Sequence, residues 1–127
     1  MKTVSLLSRL LLGLIFLVFG LNGFLNFIPM PPPTGVAAQY MGALFVSHYL
    51  VAIFLLQLIA GGLLLANRFV PIALVLLGPV VVNILLFHAL MAPAGLPLAV
   101  IVTALWLTVF FGVRRAFSGI FSLHPAA

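Results

Sequence analysis

Four long apolar runs, each close to the length of a membrane-crossing helix, dominate the hydrophobic pattern of this chain. The first covers residues 4–28 and is interrupted by Ser8, Arg9, Asn22 and Asn26. The second covers 42–66, with His48 and Gln57 inside it, and the third covers 69–91, with Pro79, Asn83 and His88. The fourth covers 96–113 and is broken only by Thr103 and Thr108. The runs are continuous rather than alternating, so they predict helices and exclude the strands of a β-barrel. The connectors, a proline-rich stretch from Pro29 to Gly35, the pair Asn67-Arg68, and Ala92 to Gly95, are short. Short loops make successive spans antiparallel hairpins. The expected fold is an all-α membrane protein, a single four-transmembrane-helix bundle over 1–127 with an interfacial tail from 114 to 127.

Composition sharpens this picture. Of 127 residues, 66% are hydrophobic and 4% are charged. A soluble domain carries about a quarter charged residues, too many for this chain to resemble one. The lipid bilayer is therefore the expected surroundings. There are five Lys and Arg and no Asp or Glu. The basic residues form no sequence patch and lie between apolar runs, which excludes nucleic acid as a partner and points to anionic lipid headgroups. Lys2, Arg9, Arg68, Arg114 and Arg115 all fall on one side of a four-span topology, which the positive-inside rule assigns to the cytoplasm with both termini. No small-x-small site follows the first apolar run promptly, so the segment reads as a retained span and not a cleaved leader.

The missing residue types restrict the chemistry. Without cysteine there is no disulfide, thiolate metal site or thiol redox chemistry. Without carboxylates the chain lacks the usual groups of metal hydrolases, glycosidases and proton-relaying pumps.

Glycines on the first span predict close helix packing. Gly13, Gly20 and Gly23 lie near one line at 100° per residue, and Gly61, Gly62 and Ala66 offer a similar surface on the second span. Gly78-Pro79 predicts a bend in the third span that frees the carbonyl of Val75. Beyond the fourth, Phe117, Ile120 and Phe121 are spaced for one face of a short interfacial helix. Arg9 is expected to snorkel to the cytoplasmic boundary, since no acid exists to pair with it.

Polar residues inside apolar spans are the candidate site. At about 1.5 Å per residue, Asn22, Asn26, His48, Asn83 and His88 share the outer half of the bundle. On continuous helices they converge only in part. His48 and Gln57 point in opposite directions, and Asn83 and His88 diverge by about 140°, so one of each pair must face another helix, a second subunit or the interface. Two uses are open. The group forms a polar pocket that hydrogen-bonds a quinone-like cofactor, with haem or copper as alternatives drawing on the histidines and on Met30, Met41 and Met91. Otherwise these residues are interhelical hydrogen bonds only.

The run Arg9-Leu10-Leu11-Leu12-Gly13-Leu14-Ile15-Phe16, with Phe19-Gly20-Leu21-Asn22-Gly23-Phe24 closing the first span, resembles the DoxX family of small bacterial membrane proteins. The segments Gln57 to Leu65 and Pro79 to His88 extend the resemblance over nearly the whole chain. It implies a four-helix bundle in the bacterial inner membrane and a subunit or accessory factor of a quinone-linked oxidoreductase complex. The family pattern would place an acidic residue where this chain has Gln57, and that departure removes the group a proton-coupled role would use. A non-catalytic assembly subunit and a small-molecule transporter are the other readings. So small a bundle buries few side chains, which calls for a membrane-protein partner or a homo-oligomer.

Overall fold

The computed structural model describes residues 2–124; the last three residues of the expected tail, 125–127, lie outside the described residues, as does residue 1. Five α-helices are present: α1 (Lys2–Leu25), α2 (Gly35–Val46), α3 (Tyr49–Ala66), α4 (Val70–Leu90) and α5 (Leu96–Gly112). All but α2 belong to spans long and apolar enough to cross a membrane, α5 together with the 3-10 turn Pro93–Gly95 that leads into it. No strand occurs among the described residues. The outward faces of these helices carry exposed Leu, Val, Ile and Phe, such as Leu14, Ile59, Val82 and Ile101, in place of a polar surface.

The four long helices form a ring in the order α1, α3, α4, α5, with the most extensive packing between α1 and α3. The glycine stripe explains that pairing. At Gly13 a Cβ would lie 3.0 Å from the Gly61 carbonyl oxygen, and at Gly20 one would lie 3.2 Å from the Cβ of Gln57. At Gly23 it would strike the ring of Phe54. Only glycine lets the two backbones approach this closely, and in lipid such packing replaces the missing hydrophobic drive.

One expectation fails. The run 42–66 is not one helix. The chain breaks at Ser47-His48, where His48 adopts a left-handed conformation with φ 63°. A helix carried on from Gly35 to Ala66 would outrun the roughly 30 Å hydrocarbon layer by more than half, at 1.5 Å per residue. The break splits it into a short α2, absent from the sequence expectation, and a full-length α3. Histidine tolerates the left-handed region better than most residues.

α3 ends in a Schellman motif. Asn67 is left-handed (φ 55°), its N–H donates to the Leu64 carbonyl (3.3 Å), and the Arg68 N–H donates to the Leu63 carbonyl (3.0 Å). Arg9, half-buried on α1, donates through one guanidinium nitrogen to the Leu64 carbonyl and to the Leu65 carbonyl at 3.5 Å. It caps a neighbouring helix, a more specific task than the snorkelling expected of it.

α5 is held by Trp106. Its indole N–H donates to the Leu74 carbonyl of α4 at 3.1 Å, one residue before the Val75 carbonyl that Pro79 leaves without its usual donor. A Cβ on Gly78 would meet only the Trp106 ring, at 3.8 Å. Thr103 and Thr108 donate back to the carbonyls of Ala99 and Ala104, both at 2.8 Å, so neither hydroxyl needs a partner from another helix.

The tail departs from the expected interfacial helix. Arg114–Phe117 is a 3-10 turn, and Phe117 folds back on Phe110 with ring centroids 5.0 Å apart. Phe110 in turn stacks on Trp106 at 5.5 Å, so this aromatic ladder captures Phe117 and leaves Ile120 and Phe121 exposed.

The bundle is filled at one end and hollow at the other. Leu12, Leu64, Leu74, Leu77 and Val109, the largest fully buried side chains, belong to the half that holds both described chain ends and the α3–α4 turn. Towards the other end the α1 face turns to Phe16, Gly20 and Asn22, and α3 contributes buried Gln57. There the space between the helices is not filled.

Candidate functional site

The unfilled half is a cavity of about 860 Å³ reached by all five helices. Its walls are apolar, with Phe16, Phe24, Phe54 and Ile84 among them, and its polar lining comes from Asn22, Asn26, His48, Gln57 and His88. Large apolar cavities with a few convergent polar groups are the usual form of a small-molecule site.

Asn22 has two duties. It is buried, and its side-chain carbonyl accepts the Ile28 N–H at 2.7 Å while its backbone carbonyl accepts the Asn26 N–H at 2.8 Å. Asn26 is left-handed (φ 52°), and together these bonds stop α1 and turn the chain into the proline-rich connector. The amide nitrogen of Asn22 makes no hydrogen bond among the described residues. Since no buried side-chain polar atom among the described residues is left unpartnered, that nitrogen is open to the cavity. Asn26 is exposed and lines the mouth.

His88 is fixed in orientation. Its ring packs edge-on against Phe87, with centroids 5.1 Å apart, and Nδ1 lies 3.1 Å from the Ala92 carbonyl. A carbonyl oxygen only accepts, so Nδ1 carries the proton and Nε2 of the neutral ring is an acceptor. Gly95 makes room, because a Cβ there would strike the imidazole. His48 sits at the break before α3, exposed and without a side-chain capping bond.

The break also decides where Gln57 points relative to His48. A continuous helix would set them on opposite faces, but the left-handed residue interrupts the 100° count, and both line the cavity. Gln57 is buried and makes no hydrogen bond among the described residues, so its amide offers both a donor and an acceptor to the cavity. Sequence reasoning picks out Gln57 but sets it apart from the candidate group. The length of the apolar stretch from Gly35 to Ala66 is the signal that a break lies within it.

Asn83 does not join this group. It faces α2, where its side-chain oxygen accepts the Tyr40 hydroxyl at 3.0 Å. The Tyr40 ring also packs on Phe87, at 5.7 Å. Asn83 and His88 thus diverge as their spacing requires, one to another helix and one to the cavity. Tyr40 escapes notice in the sequence because the helix that carries it does.

Of the three methionines expected near this end, Met30 and Met41 line the cavity and Met91 does not. Among the described residues no three His, Cys, Asp or Glu side chains come together. A metal would have to draw on two histidines and these thioethers. The donor set fits an organic ligand better, with amide donors at Asn22 and Gln57 and an acceptor at His88. Comparison with family models, with curated proteins and with solved structures finds no match to this chain.

Proposed function

We propose that this chain is a DoxX-like multi-pass protein of the bacterial inner membrane, its basic end in the cytoplasm, serving as a subunit of a quinone-linked oxidoreductase complex. The observation that carries this reading is the pairing of an apolar cavity of about 860 Å³ with a small polar group at Asn22, His48, Gln57 and His88. Such a cavity suits a planar ring with a hydrocarbon tail. Carbonyl oxygens of the ring would accept from the amides of Asn22 and Gln57, and a hydroxyl of the reduced form would donate to Nε2 of His88. The chain's own part is to bind and orient the ring and to keep water from it. The positive-inside rule and the one-sided charge distribution support the orientation.

Solvent extraction of the purified protein, followed by chromatography, tests the reading directly. Bound quinone is expected, together with stabilisation by a short-tailed quinone in a thermal melt. A quinone-free protein whose melting temperature ignores added quinone would overturn it.

A second reading is a non-catalytic assembly subunit. What favours it is that the side-chain oxygens of Asn22 and Asn83 and Nδ1 of His88 already serve the fold. Purification in mild detergent separates the two. A larger assembly that survives His48→Ala and His88→Ala would favour assembly, and a lone quinone-containing species would favour the site. A proton-coupled transporter is the weakest alternative, since no membrane carboxylate is present.

A further inference from the structure

The filled end of the bundle carries a second hollow, of about 430 Å³, at the seam between the first and last helices. Lys2, Arg9 and Arg114 all line it, with Ser5 and Asn67 beside them. The sequence arranges this in two steps. Lys2 and Arg9 are two helical turns apart and share one face of α1, and the turn that ends α5 brings Arg114 to the same place. Two of the three cations are held in position. Arg9 is tied to the last carbonyls of α3, and Arg114 donates to the Phe111 carbonyl at 2.8 Å. Each uses one nitrogen for this, so most of their five N–H donors remain.

The chain contains no Asp or Glu side chain to neutralise these charges. Three like charges brought to one concave site repel one another, and no side chain of this protein supplies the opposite charge, so the hollow suits an external anion. The rest of the wall is apolar: Leu6, Val70, Val109 and Phe111. Leu6 and Phe111 are exposed along the α1 and α5 flanks, 46% and 57% respectively, so the hollow opens onto a hydrocarbon-compatible surface.

We infer that this hollow binds the phosphate of an anionic phospholipid headgroup, with Lys2, Arg9 and Arg114 on the phosphate and the acyl chains along Leu6 and Phe111. The shared chemistry is a phosphate oxyanion met by guanidinium forks and an ammonium. The apolar rim selects the lipid over free phosphate. This site is independent of the cavity at the other end.

Native mass spectrometry of the full chain in mild detergent tests it, with phosphatidylglycerol, phosphatidylcholine and inorganic phosphate as separate additions. Phosphatidylglycerol should be retained in preference to phosphatidylcholine, and millimolar phosphate should not displace it. The double variant Lys2→Gln/Arg114→Gln should weaken retention roughly thirtyfold, at about one headgroup interaction per cation. Arg68→Gln/Arg115→Gln removes the same charge outside the hollow and should leave retention within about threefold. Equal retention of the two lipids by the unaltered protein would overturn the proposal without recourse to any variant. So would equal losses in the two double variants, or displacement by inorganic phosphate.

Discussion

Gly61 on α3 lies so close to Leu17 on α1 that a Cβ added to the glycine would sit 2.8 Å from the Leu17 backbone nitrogen. The Gly13 carbonyl oxygen would be 2.9 Å away on the same side. Both obstacles are backbone, so neither can swing aside. Gly61→Val should therefore separate α1 from α3 and destabilise the protein by about 3 kcal/mol. At Gly62, the next residue, an added Cβ would meet nothing within 4 Å. Gly62→Ala should leave the melting temperature in detergent close to that of the parent, or raise it slightly. Equal effects at the two positions would mean that this crossing does not hold the bundle together.

That crossing is legible in the sequence because a 3.6-residue period survives along an unbroken helix. Counting alone puts Gly13, Gly20 and Gly23 on one stripe, and all three meet α3. The count fails where the backbone leaves the helix. At Ser47-His48 a single left-handed residue resets the angle, so counting gives Gln57 the wrong direction relative to His48. The four apolar runs anticipate the four long helices. They do not mark α2 as a separate helix, because its apolar residues run on into the second span and only the excess length of the combined stretch betrays the break.

Gln57 separates a binding role from a packing role. It makes no hydrogen bond among the described residues, so Gln57→Leu removes a polar group from the interior without orphaning a partner. Stability should be unchanged or rise by about 1 kcal/mol. Occupancy by a quinone-like ligand should fall about tenfold, the worth of one hydrogen bond in an apolar site. Thermal melts with and without short-tailed quinone read both quantities on one sample.

Tyr40 and Asn83 tie α2 to the bundle through one hydrogen bond and one ring contact. Tyr40→Phe keeps the ring on Phe87 and removes the hydroxyl. Tyr40→Phe and Asn83→Ala should each loosen α2 by about 0.6–2 kcal/mol. Their double variant should cost no more than either alone, since both act on the same bond. Hydrogen exchange confined to residues 35–46 is the measurement. Additive losses would show that the two residues act separately.

His48 occupies a backbone conformation that costs a residue with a Cβ about 1 kcal/mol and costs glycine almost nothing. His48→Gly should thus preserve the break, hold or raise the melting temperature, and delete the imidazole from the cavity wall. If the ring contacts a ligand, affinity falls while the fold is kept, a result that a destabilising substitution could not give. If the break itself is lost, the variant will lose stability and the helix content near residue 48 will rise.

The cations at the filled end have a consequence for the medium in which the protein is handled. A protein with both signs of charge commonly loses attraction when salt is added. Here every charged side chain is positive, and Lys2, Arg9 and Arg114 share one hollow. At 0.1 M ionic strength the screening length is about 10 Å, comparable with the width of a helix. In an uncharged detergent, raising the ionic strength should therefore stabilise the bundle by weakening its self-repulsion. In an anionic membrane the same addition should weaken its hold on the surrounding headgroups, so the sign of the salt effect reports which surface the basic end is touching.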